Sequence, residues 1–391
     1  MKLIPVEKIQ GDMVLGKSIY NMDNKLLLGA GFRITDDIKS KLIARGYNHV
    51  YIMEKGTEDI IPEDIISDAV KQQAQFKLAN SAEHVKKMLK FTNLSRSRIY
   101  DQLQDGALKN INLTREVNKT VEEIIKDISA VGATTLDSIL FKSKNSYHLD
   151  HAINTTVLSI LIGKKYGFSK DELLHLALGA FLHDFGKLVT EQMKDSADKS
   201  TSDALLREHP VFGYLIMHNS RNASPMVCQI IKQHHESQDG SGYPLGLHGE
   251  NLPPISPSPR KSKGTIYRLA EICTVADAYD KMVMNPLKEK QKTPEEAVAE
   301  IIKDAGTIYN KHIVSTLTTI IPFFPVGTTV KIKNLKDTSF IGYVGVIAKI
   351  NEDNLNKPQI LLIMDKSKRR LAPPRLIDTG RLSFIDLELL I

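Results

Sequence analysis

Seven candidate metal ligands stand out between residues 151 and 277 of this 391-residue chain. They are five histidines and two aspartates: His151, His183, Asp184, His209, His234, His235 and Asp277. Imidazole nitrogens and carboxylate oxygens together suit iron, manganese or zinc, and a carboxylate can bridge two ions. Any one of these residues alone is more commonly a hydrogen-bonded core or surface group. The set as a whole predicts a metal site.

The adjacent pair His183-Asp184 is the most informative part of this set. It lies in the segment Leu173–Leu188 (LLHLALGAFLHDFGKL), which is apolar nearly all round and predicts one buried helix. An unpaired carboxylate there would cost several kcal/mol, so Asp184 needs a cation, and a metal ion is the simplest one. The alternative is that Asp184 caps a local turn before Gly186. Asp277 follows another apolar run and poses the same problem.

The second histidine pair opens the stretch HHESQDGSGYP, residues 234–244. Neighbouring residues on a helix point about 100° apart, so both histidines reach one ion only near a helix end, which the following glycines supply. The turn formed by Gly242, Tyr243 and Pro244 is expected either to line a substrate pocket or to pin the loop. Glu236 is predicted to be solvated.

The elements that must position these residues divide the chain into four predicted regions. Residues 1–57 combine short strand-like runs at 13–15, 26–28 and 49–52 with a helix over Thr35–Arg45, and predict a small α+β module. Residues 58–130 predict a helical connector, with a possible signalling or dimerising role. Residues 131–322 predict a helical domain, and residues 323–391 a small β-barrel or sheet. The expected fold class is mainly α.

Composition narrows the function classes. With 42% hydrophobic and 25% charged residues the chain is typical of globular proteins, and no run approaches the roughly 18 apolar residues that cross a bilayer. Its two cysteines predict reduced core thiols and a cytoplasmic protein. The net charge of +6 is mild. The basic run DKSKRR at 365–370 therefore predicts a solvated loop rather than a surface for a nucleic-acid polymer.

Several short motifs together resemble one known family. The segments HAINTTVLS from 151, HDFGK from 183, EHP from 208, HH at 234, DGSGYP from 239 and VADAYD from 275 are similar to the HD-GYP family, a branch of the HD-domain metallophosphohydrolases. The resemblance covers residues 130–322. It implies an all-helical domain that hydrolyses cyclic di-GMP to the linear dinucleotide pGpG, and in some members onward to GMP.

The resemblance also implies how the ligands divide. His151, His183, Asp184 and Asp277 would hold one ion, and Asp184 would bridge to a second ion completed by His209, His234 and His235. Tyr147 stands where some members carry a glutamate for a third ion, so two divalent ions are expected. The mixed ligands and the family favour iron or manganese.

Two metal ions would supply the chemistry that a phosphodiester requires. They lower the pKa of a bridging water to give hydroxide, and they coordinate phosphate oxygens. Asp184 is the expected catalytic ligand. Lys187 is expected to bind the phosphate and to help protonate the leaving alkoxide, although it could instead leave the helix for solvent.

The chain departs from the family after VADAYD. The family usually carries DALTxxRPYR, whose arginines bind substrate phosphate, whereas this chain reads DKMVMNPLKEK. Aligned on Pro286, Asn285 replaces the first arginine and Lys288 the second. The predicted substrate contacts are therefore Lys187, Gly242, Tyr243, Pro244 and Lys288. The basic residues of a long loop, Arg260, Lys261 and Lys263, with Arg268 just beyond, are an alternative source of charge.

The sequence is compatible with three functions. The leading one is a metal-dependent cyclic di-GMP phosphodiesterase. The second is a catalytically weak sensor or scaffold that binds metal or a cyclic dinucleotide and signals through protein contacts. The third is a hydrolase of another cyclic dinucleotide or phosphoester. Signalling partners are expected at the GYP loop or the terminal modules, and a homodimer is a further expectation.

Overall fold

The computed structural model describes residues 1–11, 13–20, 26–89, 96–132, 135–136, 143–194, 204–255, 264–283, 285–335, 338–351, 353–382 and 384–390. The fold is mainly α with small sheets at both ends, as the sequence predicted. Within the described ranges, no helix is both long and apolar enough to cross a membrane.

The N-terminal region is a small α+β module. A three-stranded antiparallel sheet has the order β1 (Lys2–Pro5), β5 (His49–Met53), β2 (Val14–Leu15), and β3 (Ile19–Tyr20) pairs antiparallel with β4 (Leu26–Leu28). Helix α1 (Asp36–Ala44) begins after Thr35, whose hydroxyl accepts the backbone N–H of Ile38 as an N-cap. The predicted strands and helix are present, whereas β1 and β3 were not predicted.

Three helices follow the N-terminal module. They are α2 (Asp68–Met88), α3 (Arg96–Gln104) and α4 (Leu113–Ala130). Val121 and Ile124 of α4 recur at helical spacing and are fully buried. They belong to one apolar cluster with Leu78 of α2 and with Ile153 and Leu176 of the next domain. The connecting helices therefore share the core that supports the candidate site.

The central helical domain contributes eight helices to the described chain. They are α5 (Tyr147–Lys165), α6 (Lys170–Leu182), α7 (Lys187–Lys194), α8 (His209–His218), α9 (Pro225–Gln233), α10 (Arg268–Met282), α11 (Pro294–Lys303) and α12 (Lys311–Thr318). Helix α5 packs against α6 and α10, and α9 packs against α6 and α8. Their buried faces form most of the large apolar cluster.

The prediction of one helix over Leu173–Leu188 is wrong. Helix α6 ends at Leu182, a tight turn spans residues 183–186, and α7 starts at Lys187. Gly186 permits the turn because the start of α8 lies against it: a Cβ at Gly186 would come within 1.9 Å of the backbone oxygen of His209. The His183-Asp184 pair therefore lies at a helix break and points into the space between helices.

The C-terminal region is a five-stranded antiparallel sheet of order β10-β6-β7-β8-β9. The strands are β6 (Thr329–Leu335), β7 (Val344–Lys349), β8 (Gln359–Met364), β9 (Arg370–Asp378) and β10 (Ile385–Leu390). Alternating apolar residues of the first three strands predicted them. The strands β9 and β10 were not predicted, since the Pro-Pro pair of β9 is unusual in a strand. A separate apolar cluster lies beneath the sheet.

Close packing of α6 on α9 provides the first test. The Cβ of an alanine at Gly179 would lie 2.6 to 2.7 Å from atoms of Ile230, including its Cβ. We expect Gly179→Ala to reduce the free energy of unfolding by about 1–3 kcal/mol because the two helices must separate. Urea denaturation measures this effect. The control Gly11→Ala places its Cβ in open space and should change stability by less than about 0.5 kcal/mol. Equal stability of the two variants would contradict the packing argument.

Candidate metal centre

The structure brings all seven predicted ligand side chains together between helices. They come from α5, the turn after α6, the start of α8, the end of α9 and α10: His151, His183, Asp184, His209, His234, His235 and Asp277. They form two groups, and within each group the ligand atoms lie within 4.8 Å of one another. One group is His151, His183 and Asp277, and the other is Asp184, His209, His234 and His235.

The carboxylate of Asp184 faces both groups. Its Oδ2 atom lies 3.6 Å from Nε2 of His151 and 3.4 Å from Nε2 of His183. Its Oδ1 atom lies 3.2 Å from Nε2 of His209 and 3.9 Å from Nε2 of His234. One side chain thus presents one oxygen to each group, which is the arrangement of a bridging ligand.

In four of the five histidines, Nδ1, the ring nitrogen that faces away from the cluster, is hydrogen-bonded to another group of the protein. The Nδ1–H groups of His183, His209 and His234 donate to backbone carbonyls three residues earlier, at 2.7, 2.6 and 2.7 Å. Nδ1 of His151 lies 2.7 Å from the carboxylate of Asp280. A carbonyl only accepts, so these bonds keep a proton on Nδ1, and the neutral imidazole then presents the lone pair of Nε2 to the cluster. Metal-binding histidines are oriented in this way.

The inward-facing atoms fit a metal ion. In the described part of the chain, four buried atoms of this cluster have no hydrogen-bond partner: Nε2 of His151, Nε2 of His183, Oδ1 of Asp184 and Oδ1 of Asp277. In addition, Nε2 of His209 and Nε2 of His234 face each other at 3.2 Å. Buried polar atoms without partners are costly, and a cation among them would satisfy them together.

Burial and neighbouring charges shift the pKa values of several groups in the cluster. Burial opposes ionisation of Asp184 and Asp277, but nearby positive groups outweigh it and hold the pKa of both carboxyls well below the usual range. Burial and neighbouring imidazoles hold the pKa values of His234 and His235 well below normal. For His183 burial lowers the pKa, yet the carboxylates of Asp184 and Asp277 outweigh it and raise the pKa to about 9.

Two residues that support His151 were not predicted from the sequence. Asp280 is buried, accepts a hydrogen bond from the amide of Asn154 at 3.0 Å, and fixes the imidazole of His151. Its spacing of three residues from Asp277 within an apolar helix was the available signal. Asn154 lies three residues after His151 on α5. Asp280 and Asn154 are therefore each about one helical turn after a candidate ligand.

Two lysines contact the two carboxylates. The Nζ atom of Lys187 donates to Oδ2 of Asp184 at 2.5 Å, so this lysine lies beside the cluster. The Nζ atom of Lys281 donates to Oδ2 of Asp277 at 2.7 Å. Burial lowers the pKa of Lys281, but Asp277 and Asp184 outweigh it and raise the pKa above its ordinary value. Lys281 was missed, although it follows Asp277 by one helical turn.

The prediction that Glu236 is solvated is wrong. Its side chain is buried, and its two carboxylate oxygens accept the backbone N–H groups of Leu245 and Leu247, both at 2.7 Å. Gly242 closes this loop tightly, because a Cβ there would lie 2.5 Å from the backbone oxygen of His235. Glu236 therefore holds the GYP turn against the second histidine pair.

Tyr243 contacts the cluster directly. Its ring stacks on His235 with centroids 4.8 Å apart, and its backbone N–H donates to the backbone oxygen of His235. The guanidinium of Arg207 lies over the Tyr243 ring at 4.7 Å from its centroid. Burial raises the pKa of Tyr243 to about 12, so the phenol stays protonated at neutral pH. The peptide bond to Pro244 is cis. Both readings of Tyr243, as pocket lining and as loop pin, are compatible with these contacts.

The remaining candidates are placed elsewhere. Asn285 is buried and donates to the hydroxyl of Tyr147, and Lys288 is exposed on the turn that follows. Contacts between the described residues do not connect Lys288 with the cluster. Arg268 is committed to Glu172 at 2.5 Å. The basic loop residues lie outside the described ranges: Arg260, Lys261 and Lys263.

Comparisons with known proteins show which proteins the chain is similar to. Residues 135–313 match the family model of the HD domain. The chain is 27% identical over 230 residues to "Cyclic di-GMP phosphodiesterase PdeB" of Borreliella burgdorferi, covering 58% of this chain and 55% of that protein. It is 22% identical over 290 residues to "Cyclic di-GMP phosphodiesterase PA4108" of Pseudomonas aeruginosa, covering 73% of this chain and 65% of that protein. The chain thus spans less than two thirds of either relative.

A solved structure also aligns with the chain. It is Bd1817, an HDG"Y"P protein from Bdellovibrio bacteriovorus, at 18% identity and a TM-score of 0.41. The alignment covers 81% of this chain and 97% of that one.

Metal uptake should depend on pH through His183. In the metal-free protein its pKa is about 9, so at pH 7 the imidazole carries a proton that a metal ion must displace. Affinity should therefore rise with pH, by up to about tenfold per unit, and level off above pH 9. Calorimetry with Mn²⁺ in buffers of different ionisation enthalpy measures the proton release. The control His218→Ala, an exposed histidine, should leave the pH profile unchanged. A flat profile between pH 7 and pH 9 would contradict the assignment.

Glu236→Gln tests how the GYP turn is held. Glutamine offers one acceptor oxygen where the carboxylate has two, so one backbone N–H of the pair at Leu245 and Leu247 loses its partner at a cost of about 1–3 kcal/mol. Hydrogen exchange at these two amides should accelerate by about tenfold or more, while the metal content stays constant. The exposed control Glu289→Gln should not change it. Unaltered exchange in Glu236→Gln would show that other contacts hold the turn.

Proposed function

We propose that the chain is a member of the HD-GYP family and a metal-dependent phosphodiesterase that opens cyclic di-GMP to linear pGpG and onward to GMP. The observation that carries the proposal is the carboxylate of Asp184, whose two oxygens face two separate groups of histidines. Two ions that share one carboxylate are suited to a single phosphodiester between them.

The proposed cofactors are two divalent metal ions. The residues His151, His183 and Asp277 would hold one, the residues His209, His234 and His235 the other, and Asp184 would bridge them. Mixed nitrogen and oxygen ligands favour iron or manganese. When bound, the ions supply Lewis acidity that neutralises phosphate charge and lowers the pKa of water.

Side chains and backbone groups of the protein would orient the metal ligands and the substrate. The Nδ1 hydrogen bonds hold the imidazoles in one tautomer, so the inward nitrogens need no reorganisation. Lys187 places an ammonium beside Asp184, where it donates a charge-assisted hydrogen bond to the phosphate and holds a proton for the leaving alkoxide. Tyr243 stacks on His235 of the second histidine group and Arg207 lies over Tyr243, so a nucleotide of the substrate would lie beside them.

A second candidate function is a sensor that binds a cyclic dinucleotide with little turnover. The observation that favours it is the position of Asn285, which stands in place of an arginine and is used by the protein itself. Its amide donates to the hydroxyl of Tyr147 and to the backbone oxygen of Lys281. The same change admits a different cyclic dinucleotide, such as one with a guanine and an adenine, as the preferred substrate.

Partners and location complete the proposal. We place the protein in the cytoplasm, because Cys228 and Cys273 are both buried free thiols. Signalling partners would dock on the GYP loop or on the terminal modules, and the chain would act alone or as a homodimer.

Turnover of cyclic di-GMP tests the proposed function. Metal-replete protein, purified without oxygen, should convert it to pGpG, and Asp184→Ala should reduce the rate by at least about a hundredfold because both ions lose a ligand. Anion-exchange chromatography measures the product, and metal analysis of the same samples gives the ions per chain. The control Asp171→Ala removes an exposed carboxylate at the start of α6 and should retain full activity.

Two outcomes would redirect the proposal. Binding of cyclic di-GMP without turnover by metal-replete protein would favour the sensor. Turnover of a guanine-adenine cyclic dinucleotide at a much higher kcat/KM than cyclic di-GMP would assign a different substrate.

A further inference from the structure

Lys281 holds a cation at the border of the metal centre. It lies on α10 one helical turn after Asp277, and its Nζ atom donates to Oδ2 of Asp277 at 2.7 Å. Its side chain is 31% exposed, whereas that of Asp277 is 4% exposed. The ammonium therefore lies where the buried cluster meets solvent, which is where a substrate must enter.

The two oxygens of Asp277 have different neighbours. Oδ1 lies 2.9 Å from Nε2 of His151 and 3.3 Å from Nε2 of His183, inside the first histidine group. Oδ2 accepts from Lys281 on the outer side. The lysine thus stands beside the proposed ion without occupying the ligand atom that faces it. An ammonium has three N–H donors, so the hydrogen bond to Asp277 leaves donors available for a second acceptor.

The acceptor expected at this position is an anion. The GYP turn and α10 border the same cluster, because Tyr243 stacks on His235 and Lys281 donates to Asp277. Lys187 donates to the other carboxylate of the cluster, at Oδ2 of Asp184, the oxygen that also faces His151 and His183. Two ammonium groups therefore border the two carboxylates of the cluster, a charge pattern that suits a phosphodiester with negative oxygens.

Other cations of α10 and its following turn are placed differently. Arg268, at the first turn of α10, pairs with Glu172 and donates to the backbone oxygen of Pro254. Asn285 carries no charge and is buried, and Lys288 is exposed beyond it. Within the described part of α10 and that turn, Lys281 is the cation in contact with a residue of the metal centre.

We propose that Lys281 is a substrate-binding residue that donates to a non-bridging oxygen of the phosphodiester, supplying from α10 the charge that Asn285 does not. The inference rests on the proposed function, since it assumes a phosphodiester at this site. It adds a residue that the resemblance to the family does not assign. A lysine at this place binds as a point charge rather than as a bidentate fork.

Kinetics of Lys281→Met test this role. Methionine keeps most of the side-chain length and removes the charge, so the KM for cyclic di-GMP should rise by about tenfold or more while kcat changes by less than about threefold. Lys281→Arg should restore KM to within about threefold of the wild type, because it restores the cation. The control Lys303→Met, an exposed lysine at the end of α11, should change neither constant. Metal content and melting temperature are measured on every variant.

Several outcomes would overturn the inference. They are an unchanged KM in Lys281→Met, an equal loss in Lys281→Arg, or a changed metal content, which would mean that the lysine serves Asp277 instead. If Lys281→Met does not fold, Lys281→Gln replaces it with the same expectations.

Failure of the proposed function is distinguishable from failure of this inference. If the wild type does not turn over cyclic di-GMP, calorimetric binding of pGpG to the metal-loaded protein takes the place of KM. Weaker binding by Lys281→Met than by the wild type then supports the phosphate contact. Equal binding, or no binding by either protein, overturns it.

Discussion

The carboxylate of Asp184 faces two groups of buried histidines at once, and this position depends on the helix break that precedes it. Its oxygens diverge towards His151 and His183 on one side and His209 on the other. If α6 continued past Leu182, the neighbouring helical turns would surround the backbone of His183 and Asp184. The break after Leu182 releases the pair, and the absence of a side chain at Gly186 lets the start of α8 bring His209 close.

Hydrogen bonds around the cluster offset the cost of burying so many polar groups in an apolar core. Each of four imidazoles gives its outer proton to an oxygen: a backbone carbonyl at a helix end for His183, His209 and His234, and Asp280 for His151. Helix ends supply carbonyls that lack helical partners, so the ligands lie where such acceptors exist. The inner atoms depend on cations, and the lysines on Asp184 and Asp277 supply part of that charge.

The seven clustered side chains could be picked out from the sequence because histidines and aspartates are conspicuous in apolar helices, and their types suit metal binding. Sequence reasoning could not predict the break at Leu182, since the local pattern is helical and the turn depends on contact with α8. Glu236 was misread for a related reason. Its acceptors are used by backbone N–H groups nine and eleven residues later, a loop closure that residue types do not reveal. Lys281 and Asp280 had the right helical spacing, but which face of α10 meets the histidines is decided by packing.

The central claim is that one carboxylate joins two metal ions. Electron paramagnetic resonance of the protein loaded with two equivalents of Mn²⁺ tests it most directly, because ions about 3.5–4 Å apart that share a bridging ligand are magnetically coupled. The account predicts a coupled spectrum in the wild type that is lost in Asp184→Ala. A wild-type spectrum of isolated Mn²⁺ ions at full loading, or saturation at one ion per chain, would contradict it.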